Sequence, residues 1–180
     1  GCGGGSQAPV APTPEASIKQ LTATDAVYEA NPIYAPDGSA ILFESDATGN
    51  REIWLLPTNG AAARQLTDNA GEDTAPYWLP NGRGFVFEST RSGTKSIWRL
   101  DLATAGSAPV QITDDAGDDG SPAVSPDGTL VVYESDRGGI GQDLWLSPVG
   151  GGTAVRLTVS VGGSYDRTAD WSPDGNTIVF

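Results

Sequence analysis

The sequence predicts an all-β fold, a β-propeller of four-stranded antiparallel blades, with three complete blades and the start of a fourth. Two observations carry this expectation. Four short motifs recur in fixed order at a period of about 45 residues: Leu21-Thr22, Leu66-Thr67, Ile112-Thr113 and Leu157-Thr158; Pro36-Asp37-Gly38, Pro80-Asn81-Gly82, Pro126-Asp127-Gly128 and Pro173-Asp174-Gly175; Phe43-Glu44-Ser45, Phe87-Glu88-Ser89 and Tyr133-Glu134-Ser135; Ile53-Trp54, Ile97-Trp98 and Leu144-Trp145. Internal periods of roughly 20–50 residues mark solenoids, propellers and arrays. The second observation is the pattern inside one period, which alternates and is rich in β-branched and aromatic residues between turn signals. No apolar period of 3.6 runs along the chain, so helical solenoids are excluded.

The second copy shows how each element is read. Residues 74–79 form a strand that ends at the Pro80-Asn81-Gly82 turn, where proline presets φ and glycine supplies φ > 0. Residues 84–89 are the next strand, with Phe85 and Phe87 on one face and Val86 and Glu88 on the other. A loop carrying Gly93 leads to a third strand over 96–101, and a turn leads to a fourth over 109–113. In the other copies, 40–45 and 129–135 match the second strand, and 52–56 and 143–147 the third. Four short antiparallel strands per repeat make a propeller blade. The repeat breaks off at Phe180 inside a fourth blade, so the expectation is a piece of a longer protein of six or so blades.

Composition narrows the function classes. With 38% hydrophobic residues the chain can build a core, while 24 Gly and 13 Pro interrupt it too often for long helices. A net charge of −13 argues against nucleic acid and against a basic patch docked on anionic lipid. No stretch of about 20 apolar residues exists to form a transmembrane helix. There is no His, which removes Ser-His-Asp and Cys-His nucleophile systems and His-based zinc sites from these residues. There is no Met either, so the N-terminus is read as processed or trimmed.

Residues 1–19 read as a tether, Gly/Ser-rich and then Pro-rich, ahead of a propeller over 20–180. The single cysteine, Cys2, directly follows Gly1, a pattern that resembles the lipidation site of a bacterial lipoprotein. A lipid on Cys2, a spacer and then a globular domain form a consistent order. Gly3 rather than Asp at the next position resembles outer-membrane sorting. The expected location is therefore the periplasm or cell surface, with membrane attachment only through Cys2.

The string Asp170-Trp171-Ser172-Pro173-Asp174-Gly175-Asn176-Thr177-Ile178-Val179-Phe180 resembles the core of the TolB-type, WD40-like propeller repeat. The Phe-Glu-Ser segments, Glu134-Ser135-Asp136-Arg137, the Ile-Trp pairs and the closing Leu-Thr complete the resemblance, which covers about residues 20–180. The resemblance identifies the repeat and leaves the function open, because such repeats serve many proteins. It would also imply a small α/β domain ahead of the propeller, for which residues 1–19 leave no room.

The inter-blade links are acidic, notably Asp68-Asn69-Ala70-Gly71-Glu72-Asp73 and Asp114-Asp115-Ala116-Gly117-Asp118-Asp119. One carboxylate recurs in register: Glu29, Asp73, Asp119 and Asp166. It opens the first strand of each blade, the strand that lines a propeller's channel. These four residues are the candidate ligand contacts, since a ring of carboxylates attracts cations, basic peptides or a divalent metal. The competing structural reading pairs them with backbone amides or with Arg91, Arg137 or Arg167. Glu44, Glu88 and Glu134, and likewise Trp54, Trp98 and Trp145, read as structural; Trp78 and Trp171 are ambiguous. The run from Gly138 to Trp145 fits a calcium nonapeptide once, but that motif needs tandem copies, so it reads as a turn.

No catalytic residue, metal site or cofactor is assigned. The leading function is a non-catalytic, lipid-anchored binding or scaffold propeller of the cell envelope, recognising a protein, peptide or glycan through its acidic face. The alternative is the gating propeller of a larger hydrolase such as a prolyl-oligopeptidase-like peptidase. A Gly-x-Ser-x-Gly strand–turn–helix beyond the propeller would distinguish it.

Overall fold

The structure, a computed structural model, describes residues 20–22, 27–113, 117–139, 141–161 and 164–180. Cys2 and the tether of residues 1–19 lie outside the described residues. Three four-stranded antiparallel sheets follow one another. The first holds β1 (Glu29–Tyr34), β2 (Ala40–Ser45), β3 (Glu52–Pro57) and β4 (Arg64–Gln65). The second holds β5 (Asp73–Trp78), β6 (Gly84–Ser89), β7 (Ser96–Asp101) and β8 (Val110–Gln111). The third holds β9 (Asp119–Val124), β10 (Leu130–Ser135), β11 (Asp143–Pro148) and β12 (Val155–Arg156). A two-stranded sheet of β13 (Asp170–Trp171) and β14 (Ile178–Val179) begins a fourth blade. Strand order within each sheet is sequential, as in a propeller blade.

The Pro-Asp-Gly motifs are the turns between the first and second strands. Gly38, Gly82, Gly128 and Gly175 have φ of 71°, 66°, 75° and 72°, which a side chain would oppose. Ahead of each glycine, an Asp or Asn side chain accepts the backbone N–H two residues on: Asp37 from Ser39 at 2.9 Å, Asn81 from Arg83 at 2.9 Å, Asp127 from Thr129 at 3.0 Å.

The Leu-Thr marker also has a structural cause. The Thr67 hydroxyl accepts the Ile53 N–H at 2.9 Å, Thr113 accepts from Ile97 at 3.0 Å, and Thr158 from Leu144 at 3.0 Å. A threonine hydroxyl thus takes the place of a ladder carbonyl. The outermost strand is only two residues long, shorter than the 109–113 expected from sequence.

Blades meet face to face. Leu42, Ile53 and Leu55 of the first pack on Trp78, Phe85, Phe87 and Leu100 of the second. Val86 and Ile97 on the other face of the second meet Val124, Val131 and Tyr133 of the third. Ala123, Val132 and Leu144 then pack on Ala169 and Trp171. Phe85 and Phe87 are fully buried with ring centroids 5.4 Å apart, and each contributes about 2 kcal/mol by burial. Two tryptophans join blades by hydrogen bonds as well. Trp78 Nε1 donates to the Ile33 carbonyl at 3.1 Å and Trp171 Nε1 to the Ala123 carbonyl at 3.1 Å.

Candidate functional site

The inner strands β1, β5 and β9, with the segment entering β13, frame a central cleft of about 620 Å³. Each inner strand contains a proline at its fourth residue, Pro32, Pro76 or Pro122, which lacks the N–H a ladder needs. The register slips there, between Ala30 and Ile33 and between Thr74 and Tyr77 on the strands facing β2 and β6. The residue before each proline adopts a left-handed conformation: Asn31, Ala75 and Ser121 have φ of 48°, 47° and 50°, and Thr168 repeats it at 54°. Such backbone persists only where its surroundings hold it.

A glutamate from the preceding blade holds it. Glu44 Oε1 accepts the Ala75 N–H at 2.6 Å, Glu88 Oε1 the Ser121 N–H at 2.6 Å, and Glu134 Oε1 the Thr168 N–H at 2.7 Å. The second oxygen of each faces a cation, Arg51 at 3.9 Å, Lys95 at 3.3 Å and Arg167 at 4.0 Å. The glutamate of these segments is therefore a buried clasp between blades, and Glu44 and Glu88 also line the cleft. Across the cleft, the Tyr77 hydroxyl donates to Asp170 at 3.2 Å. Burial, then the charge of Asp170 and this bond, push the Tyr77 phenol up to about 12.

The acids singled out from sequence fall elsewhere. Asp73 and Asp119 are fully buried, not at a channel mouth. Their backbone N–H groups bond the preceding blade, Asp73 to the Arg51 carbonyl and Asp119 to the Lys95 carbonyl, both at 2.8 Å. Their carboxylates turn back into their own blades, Asp73 to Arg91 and Asn69, and Asp119 to Arg137, whose Nη2 lies 2.8 Å from both oxygens. Each arginine stacks on two rings, Arg91 on Phe87 and Trp98, Arg137 on Tyr133 and Trp145. Glu29 opens β1, is half-buried and accepts the Thr22 hydroxyl. Asp166 is half-buried, and its N–H bonds the Gln142 carbonyl at 2.9 Å. Asp73 and Asp119 are thus each held by an arginine of their own blade. Asp114 and Asp115 of the acidic links lie outside the described residues.

Among the described residues no group of three or more His, Cys, Asp and Glu side chains is arranged to hold a metal ion. In the calcium-like stretch, Asp143 is taken by Ser160 and Arg156. Burial opposes its ionisation, but the Ser160 bonds and the Arg156 charge prevail and hold its carboxyl below the ordinary range. The left-handed positions were not evident beforehand, since Asn31, Ala75, Ser121 and Thr168 share no residue type. The available signal was proline inside three successive inner strands, which forces a break in the ladder.

A protein-family model described as the TolB beta propeller domain matches residues 15–110, more than half of the chain. Among solved structures, a putative TolB from Agrobacterium tumefaciens is 28% identical with a TM-score of 0.71, over 87% of this chain and 58% of that one. TolB from Acinetobacter baumannii is 24% identical with a TM-score of 0.75, over 89% of this chain and 39% of that one. A prolyl endopeptidase shares the fold at 18% identity and a TM-score of 0.60, over 81% of this chain and 23% of that one. The chain thus spans less than two thirds of each of these proteins. No curated protein matches it. With that match in sequence and the same antiparallel blades in both TolB structures, the chain belongs to the TolB beta-propeller domain family.

Proposed function

We propose that the chain is a binding module without catalysis of its own, holding a protein or peptide segment of the bacterial cell envelope at its central cleft. The observation that carries this reading is the state of the carboxylates around the cleft. Glu44, Glu88 and Glu134 each spend one oxygen on a backbone N–H of the next blade and turn the other to a cation. Carboxylates so engaged hold a wall rigid, and a rigid concave wall lowers the ordering cost of binding. The polar groups that line the cleft beside them are Thr74, whose hydroxyl bonds Glu88, and the Tyr77–Asp170 pair. They suit the N–H and C=O groups of an extended polypeptide, or glycan hydroxyls. Asp73 and Asp119 act one step back, by fixing the blades that frame the cleft. The tether suits a lipid on Cys2 and a periplasmic or outer-membrane location.

A photo-crosslinking residue at Thr74 tests the reading in envelope preparations. It is expected to give one discrete covalent adduct, and the same residue at Thr58, whose hydroxyl bonds the Gly38 carbonyl at the far-side turns, none. Equal labelling at both positions, or none at Thr74, rejects the cleft as the binding site. In the same preparations Cys2→Ser is expected to move the protein out of the membrane fraction; unchanged fractionation rejects the lipid.

A further inference from the structure

We propose that Asn81, in the turn between β5 and β6, is a site of spontaneous covalent modification, which loses ammonia and is trapped by the fold as aspartate. The corresponding turns of the other blades carry aspartate already: Asp37, Asp127 and Asp174. Each of these accepts the backbone N–H two residues on, from Ser39 at 2.9 Å, from Thr129 at 3.0 Å and from Asn176 at 3.1 Å. Asn81 Oδ1 accepts the Arg83 N–H in the same way at 2.9 Å. A carboxylate at position 81 therefore meets a turn built for it, and a charged acceptor strengthens the bond.

The reactants are neighbours in the chain. Asn81 is exposed and is followed by Gly82, which has no Cβ to shield its backbone nitrogen. Once that nitrogen gives its proton to hydroxide, it attacks Asn81 Cγ. The N–Cγ bond forms, the Cγ–Nδ2 bond breaks, and ammonia leaves with a proton taken from water. The Arg83 N–H already points at Oδ1, the oxygen that gains negative charge as the nitrogen adds. Water then opens the cyclic imide. Breaking its N–Cγ bond gives aspartate; breaking the bond from nitrogen to the main-chain carbonyl carbon gives isoaspartate, with the chain rerouted through Cβ. In sum, water is consumed and ammonia released.

Attack requires the turn to open, because the Gly82 N–H donates to the Leu79 carbonyl at 2.9 Å. Reclosing then selects the product. Both ends of the turn are fixed: the Leu79 N–H donates to the Gly84 carbonyl at 2.9 Å, the Leu102 N–H to the Arg83 carbonyl at 2.7 Å, and Trp78 opposes Phe85 in the ladder. Aspartate keeps the chain length and recloses. Isoaspartate adds a methylene to the loop, which then cannot restore these bonds together, so it loses water, returns to the imide and opens again. Aspartate accumulates. Asn59 is also exposed and followed by a glycine, but its turn makes no such selection. Its Oδ1 accepts the Ala61 N–H at 3.0 Å, and a Cβ at Gly60 would meet no atom within 4 Å, so the added methylene has room.

The test is ageing of the folded 180-residue chain in mildly alkaline 18O-water, beside the same chain in urea. Trypsin then releases Glu52–Arg64 and Gln65–Arg83, and electron-transfer fragmentation locates the label and separates aspartate from isoaspartate. In the folded chain Asn81 is expected to take up 18O and to give aspartate in at least about fivefold excess, the bias that a restored backbone hydrogen bond supports. Asn59 in the same sample is expected to give isoaspartate in excess, and in urea both sites are expected to do so. Asn81→Asp, made directly, is expected to melt no lower than the parent chain. Unmodified Asn81 in the folded chain when the urea sample has converted overturns the proposal. So does isoaspartate in excess at folded Asn81, an aspartate excess that persists in urea, or a lower melting temperature for Asn81→Asp.

Discussion

Arg137→Ala separates the two roles open to the recurrent acids. Asp119 is fully buried and both its carboxylate oxygens lie 2.8 Å from Arg137 Nη2, with the arginine side chain itself 11% exposed. Removing the arginine leaves a carboxylate with no solvent around it, and breaking a buried pair in this way costs about 3–5 kcal/mol. The lost stacking on Tyr133 and Trp145 falls within that range, because the figure includes truncation of the side chain. For a chain of this length, about 2–4 °C per kcal/mol puts the fall in melting temperature near ~12 °C. Adding Asp119→Asn removes the stranded charge and is expected to restore about half of the loss, a positive coupling in a double-mutant cycle. Urea unfolding followed by tryptophan fluorescence, with a thermal scan beside it, gives both values. The effect is expected to change little with salt, because a buried pair is poorly screened. A loss below about 1 kcal/mol for Arg137→Ala would mean a solvated Asp119. The structural assignment of Asp119, and of Asp73 by its equivalence, would then fail.

Two further outcomes follow from single bonds. Trp78→Phe removes the Nε1 donor from the Ile33 carbonyl at the first inter-blade seam and is expected to cost about 1 kcal/mol, with faster amide exchange in β1; no change in either would mean that this bond does not join the blades. Tyr77, with its phenol raised from 10.0 to about 12, is expected to titrate well above the ordinary tyrosine range in an ultraviolet alkaline titration. The neutral phenol is the form its surroundings favour, so its stabilisation is complete below pH 10 and is lost as pH rises toward about 12. Asp170→Asn is expected to bring that titration nearer the ordinary tyrosine value, with the remaining elevation due to burial; an unchanged titration refutes the bond across the cleft.

The blade was legible because its devices recur with the same residue types. A Pro-Asp-Gly turn needs proline, a side-chain acceptor and a glycine at positive φ, so three of the four copies are written identically. The Thr of Leu-Thr must carry a hydroxyl to take the N–H of Ile53, Ile97 or Leu144, so it never varies. The left-handed bulge was not legible, since at Ala75, Ser121 and Thr168 a glutamate on the preceding blade fixes the backbone and leaves the residue type open. The direction of the Asp73 side chain was equally hidden. Its position in the strand places it near a channel, and only Arg91, eighteen residues later, turns it inward.

The acidity of the chain takes on a different meaning once its carboxylates are placed. Glu44, Glu88 and Glu134 accept backbone N–H groups between blades; Asp37, Asp127 and Asp174 accept them within turns. Asp73 and Asp119 are buried against the partly exposed Arg91 and Arg137. A carboxylate is the strongest acceptor a side chain offers to an N–H, so a fold built from short strands and many turns accumulates acids for structural reasons. Net charge alone therefore does not locate a binding site here.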